Sequence, residues 1–198
     1  MRNSSPPELD VYQKKSVDLW IGGQSLEFDV SQSLFSSHQV DIGTKHLLKE
    51  VQSVRVEPGG KILDLGCGYG PIGLTLAKLN PETELHMVDR DALAVTFARH
   101  NASLNDVAQT EVYGSLGYGA VKAQDFDLIA SNIPGKAGEP VIRSMLQDAH
   151  YYLSETGTVA MVVVTPLEKL VLDALSSPEI EILDQQQFSE IGRASCRE

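Results

Sequence analysis

The chain has 198 residues, with 42% hydrophobic and 22% charged content, enough for one domain with a substantial core. Its net charge of −11 argues against tight, nonspecific attraction to a polyanion, while leaving room for a local basic patch. Two cysteines and five scattered histidines offer neither a disulfide framework nor metal-ligand spacing, and no apolar run has the length of a membrane span or forms a signal-peptide core, so a cytoplasmic protein without a metal is expected.

Residues 1–16 are polar and proline-bearing and are expected to form a flexible N-terminus, with the folded domain over 17–190. Val17-Asp18-Leu19-Trp20-Ile21 and Gln24-Ser25-Leu26-Glu27-Phe28 alternate around Gly22-Gly23, which predicts a hairpin covering an end of the sheet, with Trp20 in a packing role. Ser33-Leu34-Phe35-Ser36 follows, and then Val40-Asp41-Ile42-Gly43-Thr44 opens a helix running through Val51, with Thr44 as its expected cap.

The next stretch organises the chain. Lys61-Ile62-Leu63-Asp64-Leu65 reads as a short strand that breaks into Gly66-Cys67-Gly68-Tyr69-Gly70, and Pro71 then fits the first turn of a helix over 71–79. Strand, glycine turn and helix form the opening unit of an open α/β sheet, and the glycines let the backbone approach a ligand closely. A second strand over 84–88 ends on Asp89, where an acid is placed to bind both hydroxyls of a ribose. A dinucleotide fingerprint would need its third glycine where this chain has Pro71.

A helix from Asp91 follows, with Ala94, Phe97, Ala98, Asn101 and Leu104 on one face. Strands are predicted over 109–113, ending at Gly114-Ser115, and over 125–131. A helix begins at Glu139-Pro140, with Val141, Ile142, Met145, Ala149 and Leu153 inward. The continuous apolar run over 159–164 reads as a buried parallel strand, and a helix over about 166–175 and a strand over 180–183 follow. The last eight residues, Ile191-Gly192-Arg193-Ala194-Ser195-Cys196-Arg197-Glu198, look like one reading frame of a sequencing-adapter oligonucleotide and are read as non-native, which sets Cys196 aside.

Asp64-x-Gly66-x-Gly68-x-Gly70, with Asp89 about nineteen residues on, resembles motif I of class I S-adenosylmethionine (AdoMet) methyltransferases. Ser131-Asn132-Ile133-Pro134 resembles the Asn-Pro-Pro motif IV of enzymes that methylate an amino or amide nitrogen. Together with Phe35-Ser36, Asp41-Ile42-Gly43-Thr44 and Lys136-Ala137-Gly138, these residues make the chain similar to the methyltransferase small domain family over about 17–185. Within that family it resembles short, single-domain relatives of the ribosomal RNA small-subunit guanine-N2 methyltransferase. The resemblance implies a Rossmann-like α/β sheet with helices on both faces, an N-terminal hairpin and, because the family's terminal Gly-Tyr pair is unmatched, a missing last strand.

It also implies a function and a site. AdoMet would be the cofactor, ribosomal RNA or a ribosomal subunit the partner, and a guanine exocyclic amine the methyl acceptor. Alternatives are N-methylation of a protein glutamine or a small molecule, or a non-catalytic AdoMet-fold binding protein. Asp64 would take the methionine amino group, the backbone of Gly66, Cys67, Gly68 and Gly70 would lie along the cofactor, and Asp89 would hold the ribose. Where many members carry an Asp that accepts a hydrogen bond from the adenine amino group, this chain has Gly114-Ser115-Leu116, so Ser115 would substitute weakly in binding the cofactor, or Leu116 would only pack. Asn132, Ile133 and Pro134 would form the catalytic turn, and Phe35 and Lys136 would meet the substrate. Because a carboxylate still accepts hydrogen bonds, Asn132→Asp is expected to be milder than Asn132→Ala.

Overall fold

The computed structural model describes residues 12–34, 39–176 and 181–188. Phe35, Ser36, Ile180 and the adapter-like segment 191–198 lie outside the described residues.

Strands β1 (Gln13–Ile21) and β2 (Gln24–Ser31) pair antiparallel across Gly22-Gly23. Strand β1 thus begins inside the segment 1–16 expected to form a flexible N-terminus, with Gln13 pairing with Ser31. Period-two alternation buries Val17, Leu19, Leu26 and Phe28. The same alternation turns Trp20 outward and leaves it 74% exposed, so its expected packing role is corrected.

Helix α1 (Ile42–Val51) is capped by Asp41, whose Oδ2 accepts a hydrogen bond from Thr44 N at 3.2 Å. The cap is thus three residues upstream of the expected Thr44, which is instead buried within the first turn.

Strand β3 (Lys61–Leu65), helix α2 (Pro71–Leu79), strand β4 (Glu84–Asp89), helix α3 (Ala92–Leu104) and strand β5 (Thr110–Gly114) wind in one direction. Strand β6 (Phe126–Asn132), helix α4 (Glu139–Gln147), strand β7 (Leu153–Val162) and helix α5 (Glu168–Leu175) continue on the other side of β3. All five strands are parallel, in the order β5-β4-β3-β6-β7.

β3 lies in the centre and is buried from Ile62 to Leu65, which fits its unbroken apolar run. Ile62, Leu85, Met87, Leu128 and Ala130 pack on one face of the sheet with residues of α2, α3 and the hairpin. Leu63, Leu65, Val88 and Ile129 pack on the other with Ile142, Met145 and Leu146 of α4.

The hairpin does not cover an end of the sheet; β2 packs on α2 and α3. Two asparagines one helical turn apart fasten it there. Asn101 Oδ1 accepts from Asp29 N at 2.9 Å, and its Nδ2 donates to Asp29 O at 3.0 Å. Asn105 repeats the pattern on Glu27, with distances of 3.0 and 2.7 Å. Two side-chain amides thus stand in for a neighbouring strand.

β7 differs from its expected burial. It is the outermost strand of the sheet, and its residues are half-buried or exposed, with Val164 just beyond it 52% exposed. Residues 181–183, expected to be strand, carry none, and Leu183 is 72% exposed. An apolar run reads as fully covered whether or not its outer edge meets a partner, which is why sequence periodicity misplaced it. Among the described residues no helix is long and apolar enough to cross a membrane, and no group of His, Cys, Asp and Glu could hold a metal ion.

Candidate active site

Winding reverses between β3 and β6, so a crevice forms beyond the C-terminal ends of these two strands. The glycine loop leaves β3 on one side of it, and Asn132 ends β6 on the other.

Asp64 lies at the base of the loop, fully buried. Its Oδ2 accepts from Gly73 N at 2.7 Å, a contact that needs a glycine, since a Cβ there would stand 3.0 Å from the Asp64 Cβ. Its Oδ1 is buried with no hydrogen-bond partner. Burial pushes the Asp64 carboxyl up to about 7, against the Gly73 hydrogen bond that lowers it, and the Asp89 charge adds to the rise. A buried, half-satisfied carboxyl calls for a cation or a donor.

The loop is held by two donors on one acceptor: Gly66 N and Cys67 N both reach Val88 O, at 2.8 and 2.9 Å. Gly66 and Gly68 have positive φ, 79° and 56°, and a Cβ built on either meets nothing within 4 Å, so that side of the loop is free for a ligand to approach. Gly70 also has a positive φ, 93°, and its Cβ would in addition press on Leu74 and the Met87 sulfur, so backbone conformation and packing together account for this glycine. The Cys67 side chain is buried, and burial holds its thiol well above the ordinary range.

Asp89 is bound to the same loop. Gly68 N donates to its Oδ2 and Asp91 N to its Oδ1, both at 2.9 Å. Each oxygen keeps a lone pair, and the half-buried carboxylate stands ready to accept two hydroxyls. Ser115 is turned into its own loop, where its hydroxyl donates to Gly117 O at 2.6 Å and accepts from Ala120 N at 3.0 Å. Its proton and one of its two lone pairs are thus engaged, while the neighbouring Leu116 is 67% exposed.

Across the crevice, Asn132 Nδ2 donates to Asp41 Oδ2 at 2.8 Å and to Thr44 Oγ1 at 3.1 Å. Both amide hydrogens are spent, and the amide oxygen remains. Ile133 is buried, its N donating to Val162 O at 2.9 Å. Pro134 is exposed, and its carbonyl accepts from Ala137 N at 2.9 Å, closing the turn that presents exposed Lys136. Phe35 lies outside the described residues.

Two features escape sequence reasoning. Asp41 and Thr44 belong to a recognised motif, but their contact with Asn132 crosses 91 and 88 residues of chain. Tyr69, which stands between two glycines of the loop, buries a hydroxyl without a hydrogen-bond partner; burial, then the Asp41 charge, holds this phenol well above its ordinary range. A polar atom at a variable position of a glycine loop leaves no periodic signal.

Residues 25–183 match the family model described as methyltransferase small domain. The uncharacterized protein YbxB of Bacillus subtilis is 32% identical over 151 residues, covering 76% of this chain and 74% of that protein. Ribosomal RNA small subunit methyltransferase C of Vibrio vulnificus is 34% identical over 159 residues, 78% of this chain but 44% of that protein. Among solved structures, the 16S rRNA N2 methyltransferase RsmC of T. thermophilus, in complex with AdoMet and guanosine, aligns with a TM-score of 0.69 at 25% identity, over 81% of this chain and 45% of that one. The chain thus spans less than half the length of these ribosomal RNA methyltransferases.

Proposed function

The chain belongs to the methyltransferase small domain family, and from that premise we propose that it is an AdoMet-dependent N-methyltransferase acting on a guanine exocyclic amine of ribosomal RNA. The observation that carries this reading is the Asn132 amide, whose two hydrogens are bound behind it so that its oxygen is left for a substrate. The names of the relatives support the substrate class: two of them act on ribosomal RNA, and one was solved with guanosine.

The residues fit the cofactor. The orphaned Oδ1 of Asp64 suits the methionine ammonium, the open side of Gly66 and Gly68 leaves room along the loop, and Asp89 has lone pairs for the ribose. When bound, AdoMet supplies an activated methyl group on a sulfonium, so the protein mainly has to align a nucleophile with it.

That nucleophile is poor, because the lone pair of an exocyclic amine is delocalised into the base. Asn132 Oδ1 and the Ile133 carbonyl accept its two hydrogens, which favours a pyramidal nitrogen with a localised lone pair. No strong base is needed, since the methylated, cationic nitrogen readily loses a proton to water. A base buried in folded RNA has to be splayed out to reach this crevice.

The test is Asn132→Ala. Its contribution belongs to the transition state, so the variant should bind AdoMet nearly as well while transferring methyl to undermodified ribosomal subunits about 10²–10³-fold more slowly. Equal losses in cofactor affinity and rate would make Asn132 a structural turn residue, and a wild-type rate would sink the catalytic reading.

A further inference from the structure

We propose that Asp41 and Thr44 are positioning residues that lock the Asn132 amide with its oxygen facing the substrate nitrogen. The proposal rests on the functional reading above and adds the device that makes it work.

Carboxamide oxygen and nitrogen have nearly the same size, so shape alone does not select the orientation of an Asn at the end of a strand. Presented the wrong way round, Asn132 would offer N–H donors to an amine that itself donates. An ionised carboxylate only accepts, so Asp41, at 2.8 Å, tolerates the nitrogen of Asn132 and rejects its oxygen. Thr44 Oγ1, at 3.1 Å, takes the second hydrogen. One turn of α1 thus holds both hydrogens, and Asp41 Oδ2 also caps that helix through Thr44 N.

The charge has a second effect. A carboxylate one residue removed from the attacking nitrogen favours the positive charge that develops there, and its field passes through the polarised amide. The Tyr69 phenol, from the glycine loop, also feels Asp41 and stays protonated.

On this reading the outcome of Asn132→Asp, expected to be milder than Asn132→Ala, depends on pH. The introduced carboxyl would stand against Asp41, and two such groups do not both ionise at that distance. Protonated, it donates to Asp41 and keeps its carbonyl outward; ionised, it is expelled.

The experiment uses N132D, the swapped pair D41N/N132D, and D41S in the full chain. In N132D, carbon-detected NMR should show the introduced carboxyl titrating well above the ordinary carboxylate range, with methyl transfer falling as pH rises through that titration. In D41N/N132D the titration should return to the ordinary range, and transfer at about pH 8 should recover by roughly tenfold or more over N132D. Serine caps a helix as well as aspartate, but it is uncharged and its hydroxyl donates as well as accepts, so it no longer dictates which end of the Asn132 amide faces it. D41S should therefore lower kcat by about 10–100-fold with KM for RNA and Tm little changed.

An ordinary titration in N132D, no recovery in the swap, or an undiminished kcat in D41S would each overturn the proposal. The expected NMR titrations in a protein that methylates no RNA would uphold the clamp and discard the substrate assignment instead.

Discussion

Asp64 is the residue whose chemistry is least settled by its own surroundings. It has one hydrogen bond, one orphaned oxygen and a carboxyl pushed up to about 7. Its folded-state value lies above the unfolded one, so the folded protein holds a proton that the unfolded chain releases. Stability without cofactor should therefore fall as pH rises from about 4 to about 7 and level off above, by on the order of 4 kcal/mol. An ammonium ligand needs the ionised form. AdoMet affinity should then drop about tenfold per pH unit below about 7, and Asp64→Asn should flatten that dependence. Calorimetry showing affinity independent of pH between about 6 and 8 would separate Asp64 from the ammonium. This residue was legible because an acid before a glycine turn is a local pattern. Asp41 was not, since its role depends on Asn132, 91 residues away.

At the scale of elements, the same division between local and distant holds. The hairpin was visible in its alternation about Gly22-Gly23, yet its seat on α2 and α3 was not, because the fastening comes from two side chains on a distant helix. Asn101 was read from periodicity as one more inward position. Its amide in fact serves Asp29 N, Asp29 O and the Tyr69 carbonyl, at 2.9, 3.0 and 2.9 Å. Removing it strands buried backbone groups, each costing about 1–3 kcal/mol. Asn101→Ala should thus lower stability by roughly 3 kcal/mol in denaturant titration, and Asn105→Ala by less, since its contacts with Glu27 are only part-buried. A loss under about 1 kcal/mol in Asn101→Ala would mean that water replaces the amide without penalty. β7 shows the opposite failure: its composition was read correctly as strand, but strand composition does not say how many neighbours a strand has.

For the molecule as a whole, net charge and proposed substrate pull in opposite directions. A protein of charge −11 meets RNA through a local patch or not at all. Lys136 is exposed in the turn that follows Asn132 and faces no ion-pair partner among the described residues. Lys136→Gln should weaken RNA binding about equally across sequences and reduce the salt slope by about one, with AdoMet affinity unchanged. An unaltered slope would place the contact elsewhere. The hairpin carries a different consequence, one of time. The bond from Asp29 to Asn101 joins residues 72 apart, so it closes a long loop whose entropy is lost before the contact repays it. Docking is therefore expected late in folding, and weakening it should hasten unfolding far more than it slows refolding. The segment expected to arrive last should also be the first to leave, and its departure takes Phe28 from the Tyr69 ring, which it meets edge-on at 5.7 Å, so the glycine loop loses one packing contact.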